Sequence, residues 1–159
     1  MDYFQGVVTE FLRAKRSRFV NTEYMINLDL DGTYKKDRHW YCDAVAIDFA
    51  DSTVHLCEIT YSKTLQAVAK RLQLWCNHWP ELVEAIRRDS SLQGAWHFVP
   101  RVFVPGPLES SLSTRLTALK RPKSSTYSMP QPIITLLEEV LPWKYRSWSG
   151  EPFSETGDA

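Results

Sequence analysis

The sequence predicts an α/β domain: an α-β-β-β-α-β core with a mixed four-stranded sheet flanked by helices, plus C-terminal helices. Three observations carry this. An amphipathic helical stretch opens the chain, three strand-like segments follow before residue 62, and a long helical stripe separates the third of them from a fourth.

Residues 2–16 place Phe4, Val7, Val8, Phe11 and Leu12 at helical spacing. Arg13, Lys15 and Arg16 fall in the last turn, where cations suit the helix dipole. Residues 23–30 alternate apolar and polar and stop at Asp31-Gly32, a turn signal. Residues 39–49 form a second expected strand and residues 53–61 a third, rich in β-branched and aromatic side chains. The short Ala50-Asp51-Ser52 gap makes these two a hairpin. Ser62 is the expected N-cap of a helix whose apolar stripe is Leu65, Val68, Leu72, Trp75 and Trp79. Pro80 ends or kinks that helix and opens a second piece to about Arg88. Residues 95–104 read as a fourth strand, with Pro100 pointing to an edge or a bulge. Helices are expected near 108–120 and 132–140. The connection between the third and fourth strands is long enough for those two to run parallel.

At 159 residues the chain is one domain, expected over residues 1–146, with residues 147–159 an acidic tail expected to be disordered. A hydrophobic content of 43% and a charged content of 24% exclude wholesale disorder, collagen and coiled coil. The longest apolar runs fall far short of the ~20 residues that span a bilayer. Residues Met1 to Gln5 lack the pattern of a signal peptide. No membrane partner is expected, and the expected location is the cytoplasm. The 19 basic and 19 acidic residues cancel, which argues against an indiscriminate nucleic-acid binder. Three of the acids follow Arg146, however, so residues 1–146 hold 19 bases against 16 acids and carry +3. The bases cluster at Arg13, Lys15, Arg16 and Arg18, at Lys35, Lys36 and Arg38, at Lys70 and Arg71, and at Lys120, Arg121 and Lys123. Cys42, Cys57 and Cys76 form no CxxC pair and read as buried, reduced thiols.

The chemistry-bearing feature is a pair of acids. Asp43 sits among Cys42, Ala44, Val45, Ala46 and Ile47, and Glu58 sits between Cys57 and Ile59. A carboxylate in such company is costly unless it is paired or holds a cation. If the hairpin turns symmetrically about the Ala50–Asp51 bond, Asp43 faces Glu58 with Cβ atoms roughly 5 Å apart. A one-residue slip would instead put them on opposite faces. Two carboxylates so placed repel unless a divalent cation lies between them, and oxygen ligands suit magnesium or manganese rather than zinc. The competing reading is that both acids pair with basic groups from the helices. Thr60 and His39 fall on the same expected face. His39, His55, His78 and His97 share no metal-binding spacing, and neither Ser52 nor Ser62 has a neighbouring base for nucleophilic catalysis.

With these residues in place, the chain resembles the PD-(D/E)XK, or restriction-endonuclease-like, nuclease superfamily over residues 2 to about 105. Cys42-Asp43 stand at its Pro-Asp element and Glu58-Ile59-Thr60 at its Glu-x-Lys element. The resemblance implies magnesium- or manganese-dependent hydrolysis of DNA phosphodiester bonds, by endo- or exonucleolytic cutting. Asp43, Glu58 and the backbone carbonyl of Ile59 would be ligands, and Glu10 would be the acid contributed by the first helix. Gln66 stands where some branches carry a glutamine. Thr60 departs from the pattern, because the family's lysine there orients the attacking water and stabilises developing charge. Either the cation has moved to Lys63 or Lys70, which with Gln66 fall at i, i+3 and i+7, or the domain is an inactive nuclease-fold module. Such a module would bind nucleic acid or a protein partner in a larger assembly. The expected nucleic-acid contacts are Arg13, Arg16, Arg18, Lys35, Lys36, Arg38 and Arg71. Trp143, Tyr145 and Trp148, interleaved with Lys144 and Arg146, would stack on bases or dock on a protein partner. A homodimer is expected from the resemblance alone.

Overall fold

Asp2 begins the first helix through a reciprocal cap. Its carboxylate accepts from the Gln5 backbone N–H at 2.8 Å, and the Gln5 side chain accepts from the Asp2 N–H at 3.0 Å. Helix α1 then spans Tyr3–Arg13 and buries Val8, Thr9 and Leu12. The structure, a computed structural model, describes residues 2–29, 36–123 and 127–145. Lys35, Arg146, Trp148 and the expected tail at 147–159 lie outside the described residues.

Strands β1 (Arg18–Asn27), β2 (His39–Asp48), β3 (Thr53–Ile59), β4 (His97–Val104) and β5 (Ile133–Leu136) form one sheet in the order β1-β2-β3-β4-β5. The first three pair antiparallel; β3 with β4 and β4 with β5 pair parallel. Helices α2 (Gln66–Asn77) and α3 (Trp79–Ser90) make the crossover from β3 to β4, as the length of that connection predicts. Helix α4 (Glu109–Thr117) follows β4.

The sheet therefore has five strands, not four. The expected helix at 132–140 is instead β5 followed by a single 3-10 turn at Leu137–Val140. The Ile133-Ile134-Thr135 run is β-branched, and it covers β4 from Arg101 to Val104, an edge that would otherwise leave backbone groups unpaired. Pro100 lies one residue before that pairing begins, where its missing N–H costs no ladder bond to β5. Two further expectations shift. Strand β1 begins at Arg18 rather than 23, because the chain leaves α1 at Arg13 and the basic run crosses into the sheet. Helix α2 begins at Gln66 with Leu65 as its N-cap, not Ser62. Leu65 turns the chain with φ of 55° and is itself buried in the core, so apolar burial sets the helix start.

Alternation along the strands gives each sheet face its own core. Val54, Leu56, Phe98, Val102 and Val104 face α2, α3 and α4, where they meet Val68, Leu72, Trp75, Trp79, Leu82 and Ile86. Cys57 and Phe103, with Ala44 and Ala46, face α1 at Val8 and Leu12. Trp75 and Trp79 are fully buried, as the stripe predicts, and the break between α2 and α3 falls at His78, with Pro80 in the first turn of α3. All three cysteines are free and buried. No helix among the described residues is long and apolar enough to cross a membrane.

Candidate active site

The β2–β3 hairpin runs in the register with partners from Asp48 opposite Thr53 to Ala44 opposite Cys57. One more step along both strands brings Asp43 beside Glu58, but there the ladder stops. The Ile59 N–H, instead of continuing it, donates to Asp43 Oδ2 at 2.8 Å. On its other side β3 stays paired with β4 through Ile59, and the Thr60 N–H donates to the Phe103 carbonyl. The strands thus part, and a cavity of about 210 Å³ opens between them and α2, lined by Asp43, Glu58, Ile59, Thr60, Ala67, Val68 and Arg71.

Each polar group in this cavity has a defined neighbour, with one exception. Asp43 Oδ1 accepts from Gln5 Nε2 at 3.3 Å, so the α1 capping residue also steadies the acid. Glu58 Oε2 accepts from Arg71 Nη1 at 2.5 Å. Glu58 Oε1 is buried and has no hydrogen-bond partner. Burial raises the proton affinity of Asp43, opposed by the Ile59 N–H, Arg71 and Gln5. Glu58 is only 3% exposed; burial, with the nearby Asp43 charge adding to it, pushes its carboxyl up to about 8 against the pull of Arg71 and of the Asp43 backbone N–H. An acid buried this deeply stays ionised through neutral pH only if more positive charge reaches it.

The other residues singled out in the sequence distribute as follows. Thr60 lines the cavity, with its hydroxyl accepting from the Ser62 N–H at 3.4 Å. Glu10 is exposed and pairs with Arg13 at 3.5 Å, so Gln5 is the α1 residue that reaches the acids. Lys63 precedes α2 and does not share a helical face with Gln66 and Lys70; all three are exposed, and none lines the cavity. The residues of α2 that face it are Ala67, Val68 and Arg71. Gln66 and Lys70 sit one position, about 100° of helix, before Ala67 and Arg71. The cation at the acids is therefore Arg71, placed by the sequence among nucleic-acid contacts. A signal for it exists: Arg71 stands three residues after buried Val68 and four before buried Trp75, inside the apolar stripe. Gln5 has a weaker signal, the Asp-x-x-Gln capping pattern.

The remaining bases divide between the two ends of the sheet. Arg13 ends α1 about 12 Å from Gln5, Arg16 follows in the turn, and Arg18 begins β1 opposite Asp48, at the end far from Asp43. Arg18 is committed to Asp48 at 3.0 Å. Arg38 is at the near end, just before β2, and pairs with Asp29 at 3.2 Å and Glu81 at 2.6 Å. Lys36 begins the 3-10 turn ahead of β2. Trp143 is half-exposed, whereas Tyr145 packs edge-on against Phe11 with ring centroids 5.1 Å apart. His55 points to the face opposite Glu58 and is buried; burial, then the Arg101 and Arg18 charges, lower its proton affinity to about 4.

Among the described residues no group of three or more His, Cys, Asp or Glu side chains is placed to hold a metal ion. The site offers two carboxylates and a backbone carbonyl, a donor set of the kind magnesium accepts while keeping several waters. The buried, unpartnered Glu58 Oε1 is the observation that fits a hard cation here. No protein-family model and no curated protein matches the chain.

Proposed function

We propose that this chain is a metal-dependent nuclease of the PD-(D/E)XK type that hydrolyses DNA phosphodiester bonds at Asp43 and Glu58. What carries the reading is the buried carboxylate of Glu58 beside the partly exposed one of Asp43 where β2 and β3 part, with one oxygen of Glu58 left unpartnered. Asp43, Glu58 Oε1 and the Ile59 carbonyl would hold the ion. When bound, magnesium or manganese supplies positive charge to the phosphate and an acidified water. The chain's own residues do the rest. Gln5 and the Ile59 N–H fix the Asp43 carboxylate in one orientation. Arg71 uses one N–H on Glu58, and its side chain is 42% exposed, so its remaining donors are free to take a phosphate oxygen. In this reading Arg71 brings the charge that Thr60 cannot.

A second reading rests on the same ion pair. With threonine at the lysine position and Lys63 and Lys70 away from the cavity, the short Arg71–Glu58 bond is what a purely structural pair between helix and sheet would look like. The domain would then bind without cutting.

A cleavage assay separates the two. Purified protein is incubated with single-stranded and duplex DNA in magnesium or manganese, with EDTA as control, across pH. The nuclease reading expects cutting that EDTA abolishes. It also expects activity to rise with pH at or below about 8, because Glu58 must lose its proton before it can serve as a ligand and a bound cation draws that loss to lower pH. No cutting in either metal at any pH leaves the binding module.

A further inference from the structure

Beside the acids lies a second cavity, of about 360 Å³, lined by Trp40, Tyr41, Lys70, Leu74 and Trp75 together with Ala67 and Arg71. Ala67 and Arg71 line both cavities, so the two adjoin along α2. Its chemistry differs from that of the acid site. No Asp or Glu lines it, its walls are aromatic and aliphatic, and its two charges are both positive. Trp40 is held in place: its indole N–H donates to the Asp37 carbonyl at 3.3 Å, and its ring meets His78 edge-on with centroids 5.4 Å apart. Tyr41 is 60% exposed and Leu74 38% exposed, an apolar surface left open to solvent. Trp75 is fully buried, yet its indole Nε1 has no hydrogen-bond partner.

A flat aromatic ring attached to a phosphate answers the aromatic walls and the two positive charges. We infer that this cavity is a subsite for an unpaired nucleobase of single-stranded DNA, holding the nucleotide next to the one cut at Asp43 and Glu58. The base packs against the aromatic wall to which Trp40 and Tyr41 contribute, and Lys70 and Arg71 take the flanking phosphates. A volume of this size falls in the roughly 300–1,000 Å³ range of small-ligand pockets and is large enough for a base. In a duplex both faces of each base are covered by neighbours, so an intact blunt duplex cannot fill the slot without extruding a base. The subsite gives the proposed nuclease a substrate preference and rests on that reading for its place in a reaction, but not for its binding.

The test measures binding in EDTA, so that cutting plays no part. A fluorescein-labelled oligothymidylate is titrated with the wild-type chain, Tyr41→Ala and Lys70→Ala, and read by anisotropy. An unlabelled blunt duplex of equal length is the competitor. Tyr41 and Lys70 are exposed, and circular dichroism checks that both variants fold. The expected results are preference for the single strand over the duplex and roughly tenfold weaker binding by Tyr41→Ala. Lys70→Ala should weaken binding less and flatten its salt dependence. Equal binding by wild type and Tyr41→Ala, equal competition by the duplex, or no binding by wild type overturns the subsite. The two proposals fail separately. Oligothymidylate binding without cleavage in any metal removes the nuclease and leaves the subsite. Cleavage with binding unaffected by Tyr41→Ala removes the subsite alone.

Discussion

Exchanging Asp43 for Asn or Glu58 for Gln is expected to reduce magnesium-dependent cleavage at least ~10³-fold, about 4 kcal/mol of barrier. Both changes keep size and hydrogen-bonding shape and remove one negative charge. An amide at position 43 would still accept from the Ile59 N–H, and an amide at position 58 would still accept from Arg71, so the sheet end should stay folded. Each variant loses a charged ligand in a site that has only two. Arg71→Ala acts differently. It removes the charge proposed for the transition state and should cost about 10²-fold in rate, the scale of losing one stabilising donor. Adding Thr60→Lys to Arg71→Ala places a cation at the family's usual position and should recover part of that loss. Initial rates of the four variants on one labelled oligonucleotide check all of this. A structural ion pair would give no rate to lose and no recovery on adding the lysine.

The largest effect on stability is expected at the other end of the sheet. Asp48 is fully buried and is held by four donors: Lys15 Nζ at 2.7 Å, Ser17 Oγ at 2.8 Å, Arg18 Nε at 3.0 Å and the Ala50 N–H at 3.0 Å. These tie the end of α1, the start of β1 and the β2–β3 turn to one carboxylate. Asp48→Ala leaves Arg18, whose side chain is 14% exposed, without its counter-ion, and should cost about 3–5 kcal/mol. Burial alone would raise the Asp48 carboxyl, but the four donors outweigh it and hold it well below the usual carboxylate range. A group lowered in this way contributes stability that is present above its unfolded value, near about 4, and is lost as pH falls through the folded value. Urea denaturation at pH 7 should show the full gap between wild type and Asp48→Ala, and the gap should narrow in strong acid. An equal gap at both pH values contradicts the assignment.

The parts of this architecture that could be read from the chain are those set by local rules. The hairpin register follows from a four-residue connection between two strands of clear alternation, so Ala44 meets Cys57 as the symmetric turn requires. The core faces of α2 and α3 follow from the spacing of Val68, Leu72, Trp75 and Trp79. Strand β5 was not legible, because Ile133, Leu137 and Val140 fit a helical period. Only the open edge of β4, distant in sequence, selects the strand. Asp43 and Glu58 stood out because a carboxylate amid apolar residues demands a reason. Arg71 did not, since a long basic side chain can leave an apolar stripe for solvent as readily as turn inward. The basic partner at the acids is neither Lys63 nor Lys70, the two expected, but the residue after Lys70. Val68, Leu72 and Trp75 set the inward face of α2, and Arg71 falls beside them.

The central claim is that Asp43 and Glu58 together hold one hard divalent cation. Titration calorimetry with magnesium and with manganese, run at alkaline pH above the raised value of Glu58 and again at lower pH, tests it. Saturable binding at a single site is expected in the wild-type chain, with its loss in Glu58→Gln and a weaker wild-type signal as pH is lowered. No heat from the wild type with either metal, or the same isotherm from Glu58→Gln, would contradict it.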